Sequence, residues 1–260
     1  FAAAGAVGLL IGMLQSGKTQ TAAAEALSRL AAHHEPIQGE IAREGGVAPL
    51  LALLHGGNVA AEVQAASALA ELARGNTDNQ QAIARAGGLG PLLAMLSSNK
   101  PQARAQGANA LASLARLNID NQAAIARMGG IPPLVQLLVP LSATGAAVPE
   151  VQAMASLAIA EIARGNTPNQ SACCESGAVS SSLVHLLQRC ATEAVRAEAA
   201  GAVWVLADHH EKNKVEIANA GGIAPTVELL AAGSARATEH AANAISAVGL
   251  GSVANLGTAS

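Results

Sequence analysis

The chain has 260 residues, of which 51% are hydrophobic, and a net charge of −3 with 15 lysines and arginines. With one Trp, one Phe and no Tyr, the usual bulky core-fillers are missing, so the interior has to be built from Ala, Leu, Ile and Val. That charge balance leaves no basic stripe for a nucleic-acid backbone, and three cysteines, two of them adjacent, make no disulfide framework.

The chain opens on an apolar run, Phe1–Leu14, too short and too interrupted by Gly to span a bilayer. It also lacks the basic opening of a secretory signal. With no initial Met and a stop about where a helix should be ending, the chain reads as an excerpt of a longer intracellular protein, cytoplasmic or nuclear.

Next comes a stretch that imitates chemistry. Residues Gly12 to Thr19 fit G-x-x-x-x-G-K-[ST], and Val203–Asp208 (VWVLAD) resembles an apolar strand ending in a metal-binding Asp. A phosphate-cradling loop needs a strand before it, and nothing here reads as one. Val7–Leu14 instead aligns with Val47–Leu54, which makes Gln15–Thr19 the same inter-helix turn as His55–Val59. Nucleotide hydrolysis is therefore disfavoured.

The organising signal is a repeat. Gly pairs fall at Gly45-Gly46, Gly87-Gly88, Gly129-Gly130 and Gly221-Gly222, with Gly177-Ala178 as a weakened copy and Gly5-Ala6 as an eroded one. From the first Gly of each, the spacings are 40, 42, 42, 48 and 44 residues, a period of about 40–47 that belongs to stacked helical arrays. One array over 1–260 follows, with repeats near 5–44, 45–86, 87–128, 129–176, 177–220 and a partial 221–260.

Within the copy that starts at Asn76, Asn79–Ala86 reads as a short helix ending at Gly87-Gly88. Pro91 sits in the first turn of a second, apolar helix reaching Leu96, where a missing N–H does no harm. From about Gln102 to Arg116 a third helix carries Ala105, Ala108, Leu111, Ala112 and Ala115 on one stripe. Asn76/Asn79, Asn118/Asn121 and Asn166/Asn169 share an N-x-x-N spacing, expected to cap helices or close the preceding turn.

The pattern N-x-x-N-Q-x-x-I-A-R-x-G-G-I-x-P-L-V-x-L-L at Asn118–Leu138 resembles the armadillo repeat, and the resemblance covers nearly the whole chain. It implies an all-α, right-handed α-solenoid of three-helix repeats whose third helices line a concave groove. It leaves function open, because such arrays serve nuclear import, adhesion, signalling, ubiquitin ligation and cilia.

Two departures stand out. The fourth unit carries six extra residues, placed at Val139–Pro149 between its second and third helices, and read as a surface loop. In the fifth, Ser180-Ser181-Ser182 replaces the Pro-containing turn and His209-His210 replaces Gly-Asn. The pairs His33-His34 and His209-His210 diverge by about 100° on a helix, and His55, His185 and His240 stand alone. Cys173-Cys174 has no C-x-x-C partner. No catalytic set and no cofactor or metal site emerges.

Solenoids bind along their extended inner face. Aligned third helices give the column Glu25, Ser67, Asn109, Leu157, Gly201, Asn243, and one turn on Arg29, Glu71, Ser113, Glu161, Val205, Ala247. In the importin-alpha branch these columns are typically Trp and Asn; here neither is, and Trp204 is one residue out of register. The candidate groove is Gln64, Ser67, Glu71, Gln106, Asn109, Ser113, Leu157 and Glu161, beside an arginine ladder at Arg74, Arg116 and Arg164. The expected function is a non-enzymatic scaffold holding a protein or peptide segment, with no nucleic acid and no membrane span. The alternatives are a segment of a larger cytoskeletal or ciliary complex and the recruiting array of a ubiquitin ligase.

Overall fold

Each Gly-Gly corner divides its task between two positions, and the computed structural model shows both halves. It describes residues 2–139, 148–190 and 192–252. The first glycine takes left-handed backbone, φ +80° at Gly45, +82° at Gly87 and +78° at Gly221, a conformation that L side chains resist. The second has ordinary φ but no room. A Cβ on Gly88 would stand 2.7 Å from Ile83 Cγ2 and 2.9 Å from the Ile83 carbonyl. Gly46 meets Ile41 in the same way, at 2.7 and 2.9 Å.

These corners join short first helices to short second helices, and a longer third helix follows. The chain forms two units, Phe1–Met128 and Gly129–Ser260. In the first, α1 (Ala2–Met13) and α2 (Gln20–Ala31) make a partial repeat. Then come α3 (Glu35–Arg43), α4 (Val47–Leu53) and α5 (Val59–Ala73), followed by α6 (Thr77–Arg85), α7 (Leu89–Met95), α8 (Pro101–Ala115) and α9 (Ile119–Arg127). The third-helix positions α2, α5 and α8 pack in succession, burying Ala65, Ala66, Leu69 and Leu72 from the middle one. Alanines at the contacts let the helices approach closely while favouring helix.

In the second unit, α10 (Ile131–Gln136) and α11 (Pro149–Ala163) precede α12 (Thr167–Glu175), a π-helix over Val179–Leu183, α13 (Val184–Arg189) and α14 (Glu193–Ala207). The last repeat is α15 (Glu211–Asn219), α16 (Ile223–Ala232) and α17 (Ala235–Ser252). Here α11, α14 and α17 stack in order. Of the 139–149 segment, residues 140–147 lie outside the described residues. No described helix is long and apolar enough to cross a membrane.

The Gly12–Thr19 stretch follows a helix: α1 runs to Met13, and Thr19 Oγ1 donates to the Met13 carbonyl at 2.9 Å. The strand that a phosphate loop requires is replaced by helix, as the repeat register predicts.

The N-x-x-N reading needs a correction. Only the first Asn caps: Asn76 Oδ1 accepts from Asn79 N–H at 3.0 Å, and Asn118 Oδ1 from Asn121 N–H at 3.1 Å. The second is a buried tie. Asn121 Nδ2 donates to Leu114 O at 2.9 Å, at the end of the preceding third helix, and to Gln80 O at 3.4 Å on the preceding first helix. Asn79 and Asn213 repeat the pattern with Leu72 and Gln38, and with Leu206 and Gln170. A helix end leaves orphan carbonyls, and this amide satisfies one where water does not reach.

Gln80 adds a second tie that the sequence reading missed. Its Nε2 donates to Ala73 O, Ser113 O and Arg116 O at 3.1, 3.0 and 3.1 Å, and its Oε1 accepts from Asn118 Nδ2 at 3.0 Å. The signal was present as the Gln that follows the second Asn three times, Gln80, Gln122 and Gln170.

The histidine pairs turn out to be caps. His34 and His210 occupy the N-cap position and accept through Nδ1 from Ile37 N–H and Asn213 N–H, at 3.4 and 3.3 Å. His33 and His209 before them carry the left-handed φ, +57° and +52°, that Gly75 and Gly165 supply elsewhere.

Candidate functional site

The third helices place the candidate residues by register, and the two units use them differently. In the first unit they form short local pairs. Ser67 Oγ lies 2.9 Å from Ser28 Oγ on the neighbouring third helix. Asn109 Nδ2 donates to Gln106 Oε1 at 3.4 Å within α8. Ser113 is buried and its carbonyl receives Gln80, while Gln64 is half-buried on the same face.

Glu71 does not stand as a free carboxylate. Arg74, three residues later, grips it with both Nε and Nη2 at 3.1 and 2.9 Å. The glutamates and the arginine ladder are therefore one feature at the ends of α5 and α11, an i,i+3 fork. Arg116 falls on the ladder too, but its partner position is Ser113, and among the described residues it makes no ion pair.

In the second unit the same fork is drawn inward. Arg164 binds Glu161 through Nε and Nη2 at 3.3 and 3.1 Å, and Glu161 is 5% exposed. The Arg164 guanidinium also lies over the Trp204 ring, 5.1 Å from its centroid, a cation–π distance. Trp204, out of register with the columns, thus joins the face through the ladder. Leu157 sits half-buried one turn before Glu161.

Sequence reasoning missed Glu198. It occupies on α14 the register position of Gln64 and Gln106, and it is 7% exposed. Arg236 of α17 reaches it at 2.8 Å. Burial pushes the Glu198 carboxyl above the ordinary carboxylate range, Arg236 and His240 pull it down, and the charge of Glu161 adds to the rise. His240, the next residue in that row, donates through Nδ1 to Ala197 O at 2.8 Å, and its ring fills the space beside Gly201, where a Cβ would stand 2.8 Å from Nδ1. Following the Gln64/Gln106 row into the last repeats would have found both residues.

Elsewhere the chemistry is closed. Cys174 Sγ donates to Glu216 Oε2 at 2.5 Å, and burial pushes the Cys173 and Cys174 thiols up to about 12, so both are protonated at neutral pH. Among the described residues no group of three His, Cys, Asp or Glu side chains converges as a metal site. A cavity of about 50 Å³ between α14 and the last repeat is walled by apolar residues such as Val203, Ile217, Ile245 and Val248, far below the several hundred Å³ of a small-molecule site.

No family model and no curated relative matches the chain. Solved structures do. An engineered protein of known crystal structure is 31% identical, with 94% of this chain and 97% of that one covered and a TM-score of 0.83. A designed armadillo repeat protein in complex with the peptide (KR)4 is 27% identical over 93% of this chain and 99% of that one, TM-score 0.78. Computationally designed armadillo repeat proteins for modular peptide recognition give 27% identity, 93% and 99% coverage, and a TM-score of 0.76.

Proposed function

This chain belongs to the armadillo repeat family, and from that premise we propose that it is a non-enzymatic scaffold that holds an extended protein segment along its third-helix face. The observation that carries the reading is the pair of withdrawn carboxylates in the second unit, Glu161 and Glu198, on the adjacent third helices α11 and α14. Each is neutralised by an arginine of the chain itself, and Arg236 is 59% exposed. A cationic side chain of a partner fits where Arg236 now reaches in, and the amides of Gln64, Gln106 and Asn109 suit the backbone of an extended segment in the first unit. The similar designed protein in complex with (KR)4 supports a basic segment as the partner class.

The test is fluorescence anisotropy with a labelled (KR)4 peptide. Glu198→Gln removes a charge-assisted contact worth about 1.5–3 kcal/mol, so affinity should fall by roughly tenfold or more, and Asn109→Ala should weaken binding less. Binding unchanged by Glu198→Gln and Glu161→Gln together would sink this reading.

A further inference from the structure

We propose, on the basis of the peptide-binding reading, that Arg236 is a built-in placeholder. It occupies the carboxylate site at Glu198 while the third-helix face is empty, and it yields that site to a cationic side chain of the bound segment. The chain thereby sets the affinity of its own face.

The pair is a local addition to the repeat. Arg236 and Glu198 are the second residue of α17 and the sixth of α14. At the second position α5, α8, α11 and α14 carry Ala60, Gln102, Glu150 and Ala194, and at the sixth α5, α8 and α11 carry Gln64, Gln106 and Met154. Helices α11 and α14 stack with Met154 and Ala194 at these two places. Packing one third helix on the next therefore requires no ion pair here.

Glu198 needs a cation, whichever molecule supplies it. It is buried, and burial together with the charge of Glu161 penalises its ionised form, while Arg236 and His240 favour it. Arg236 reaches in from another helix, Nη2 to Oε1 at 2.8 Å, with most of its side chain in solvent. Releasing its guanidinium to water costs little, and an incoming cation takes over the same contact. Arg164 is held differently, by two bonds to Glu161 on its own helix and by the Trp204 ring. Arg236 is thus the arginine that gives way. A site that its own chain fills binds a ligand more weakly, in proportion to the fraction of time it stands open.

The experiment measures labelled (KR)4 by fluorescence anisotropy against the wild type, Arg236→Gln, Glu198→Gln and the double variant. Arg236→Gln should tighten binding about fivefold, the worth of a largely exposed ion pair. In the Glu198→Gln background the same change should bring no gain. Binding seen only with Arg236→Gln, and lost again in the double variant, would be the strongest form of the result. If Glu198→Gln weakens binding but Arg236→Gln does not tighten it, the peptide-binding reading stands and the placeholder is overturned. An equal gain with and without Glu198→Gln would reduce Arg236 to general repulsion of a basic ligand and overturn it as well. Binding to none of the four proteins overturns both readings. NMR of the arginine side chains supplies a test without substitution. At peptide saturation the Arg236 guanidinium signals should move to those of a solvated arginine while the Arg164 signals stay, and unmoved Arg236 signals would refute displacement.

Discussion

The corners at Gly87-Gly88 and Gly177-Ala178 make the same turn with different residues, and the difference locates the constraint. Both open with a left-handed glycine, φ +82° and +84°. Both close with the same bond, Gly88 N–H to Ile83 O and Ala178 N–H to Cys173 O, each 3.0 Å. They part at the second position, where one has Gly and the other Ala. Five residues earlier the first corner has Ile and the second has Cys. Ile83 Cγ2 occupies the space that a Cβ on Gly88 would need, and cysteine has no such branch. The second glycine is thus required by its Ile neighbour, while the first is required by the backbone. After Ala178 the chain also takes the π-helix, with Leu183 N–H bonded to Ala178 O at 2.8 Å, in place of the Pro-started helix of the other copies.

The sharpest way to break this comparison is a double-mutant cycle. Gly88→Ala forces a Cβ against Ile83 Cγ2, the Ile83 carbonyl and Leu51 Cδ2, at 2.7, 2.9 and 3.0 Å, and overpacking of that kind costs about 2–3 kcal/mol. Ile83→Cys alone removes buried methyl groups and costs about 2 kcal/mol. If the pairing is real, the double variant recovers at least about 1 kcal/mol relative to the sum, measured by urea unfolding. Additivity within about 0.5 kcal/mol would show that the glycine answers to something else.

A second contrast separates the two asparagines of the N-x-x-N motif. Asn76 lies at a helix start and caps it, while Asn121, the second Asn of the next copy, is buried and ties two helices. Replacing Asn121 by Ala leaves Leu114 O and Gln80 O without that donor, a loss of about 2–3 kcal/mol. Replacing the cap Asn76 by Ser keeps an acceptor for Asn79 N–H and should cost under about 1 kcal/mol. Equal losses in thermal or chemical unfolding would erase the distinction.

These contrasts also show what the sequence could reveal. Period and punctuation made the three-helix repeat legible, because Gly, Pro and Asn act locally through φ and capping. Asn121 reads from the sequence as a cap or turn residue and Gln80 carries no local signal, since their partners are carbonyls 7 to 41 residues away. The candidate face was legible as register. Its electrostatics were legible only in part: Glu71–Arg74 and Glu161–Arg164 follow from i,i+3 spacing, whereas Arg236 on Glu198 depends on how α17 packs against α14.

The smallest expected effect concerns the turn from third helix to first. Five such turns carry a left-handed residue, Gly at Gly75 and Gly165, but His33, Leu117 and His209 in the others. Leu117 holds φ +54° with its side chain 77% exposed, so no burial offsets the backbone cost. That cost is about 1–2 kcal/mol for an L residue, and a glycine recovers it less the extra chain entropy it brings to the unfolded state. Leu117→Gly should therefore raise stability by roughly 0.5–1 kcal/mol, seen as a higher urea midpoint at unchanged slope. A Leu117→Gly variant that is less stable would mean that the exposed leucine makes contacts worth more than its strained backbone costs, and the turn would then belong among the chain's interaction surfaces.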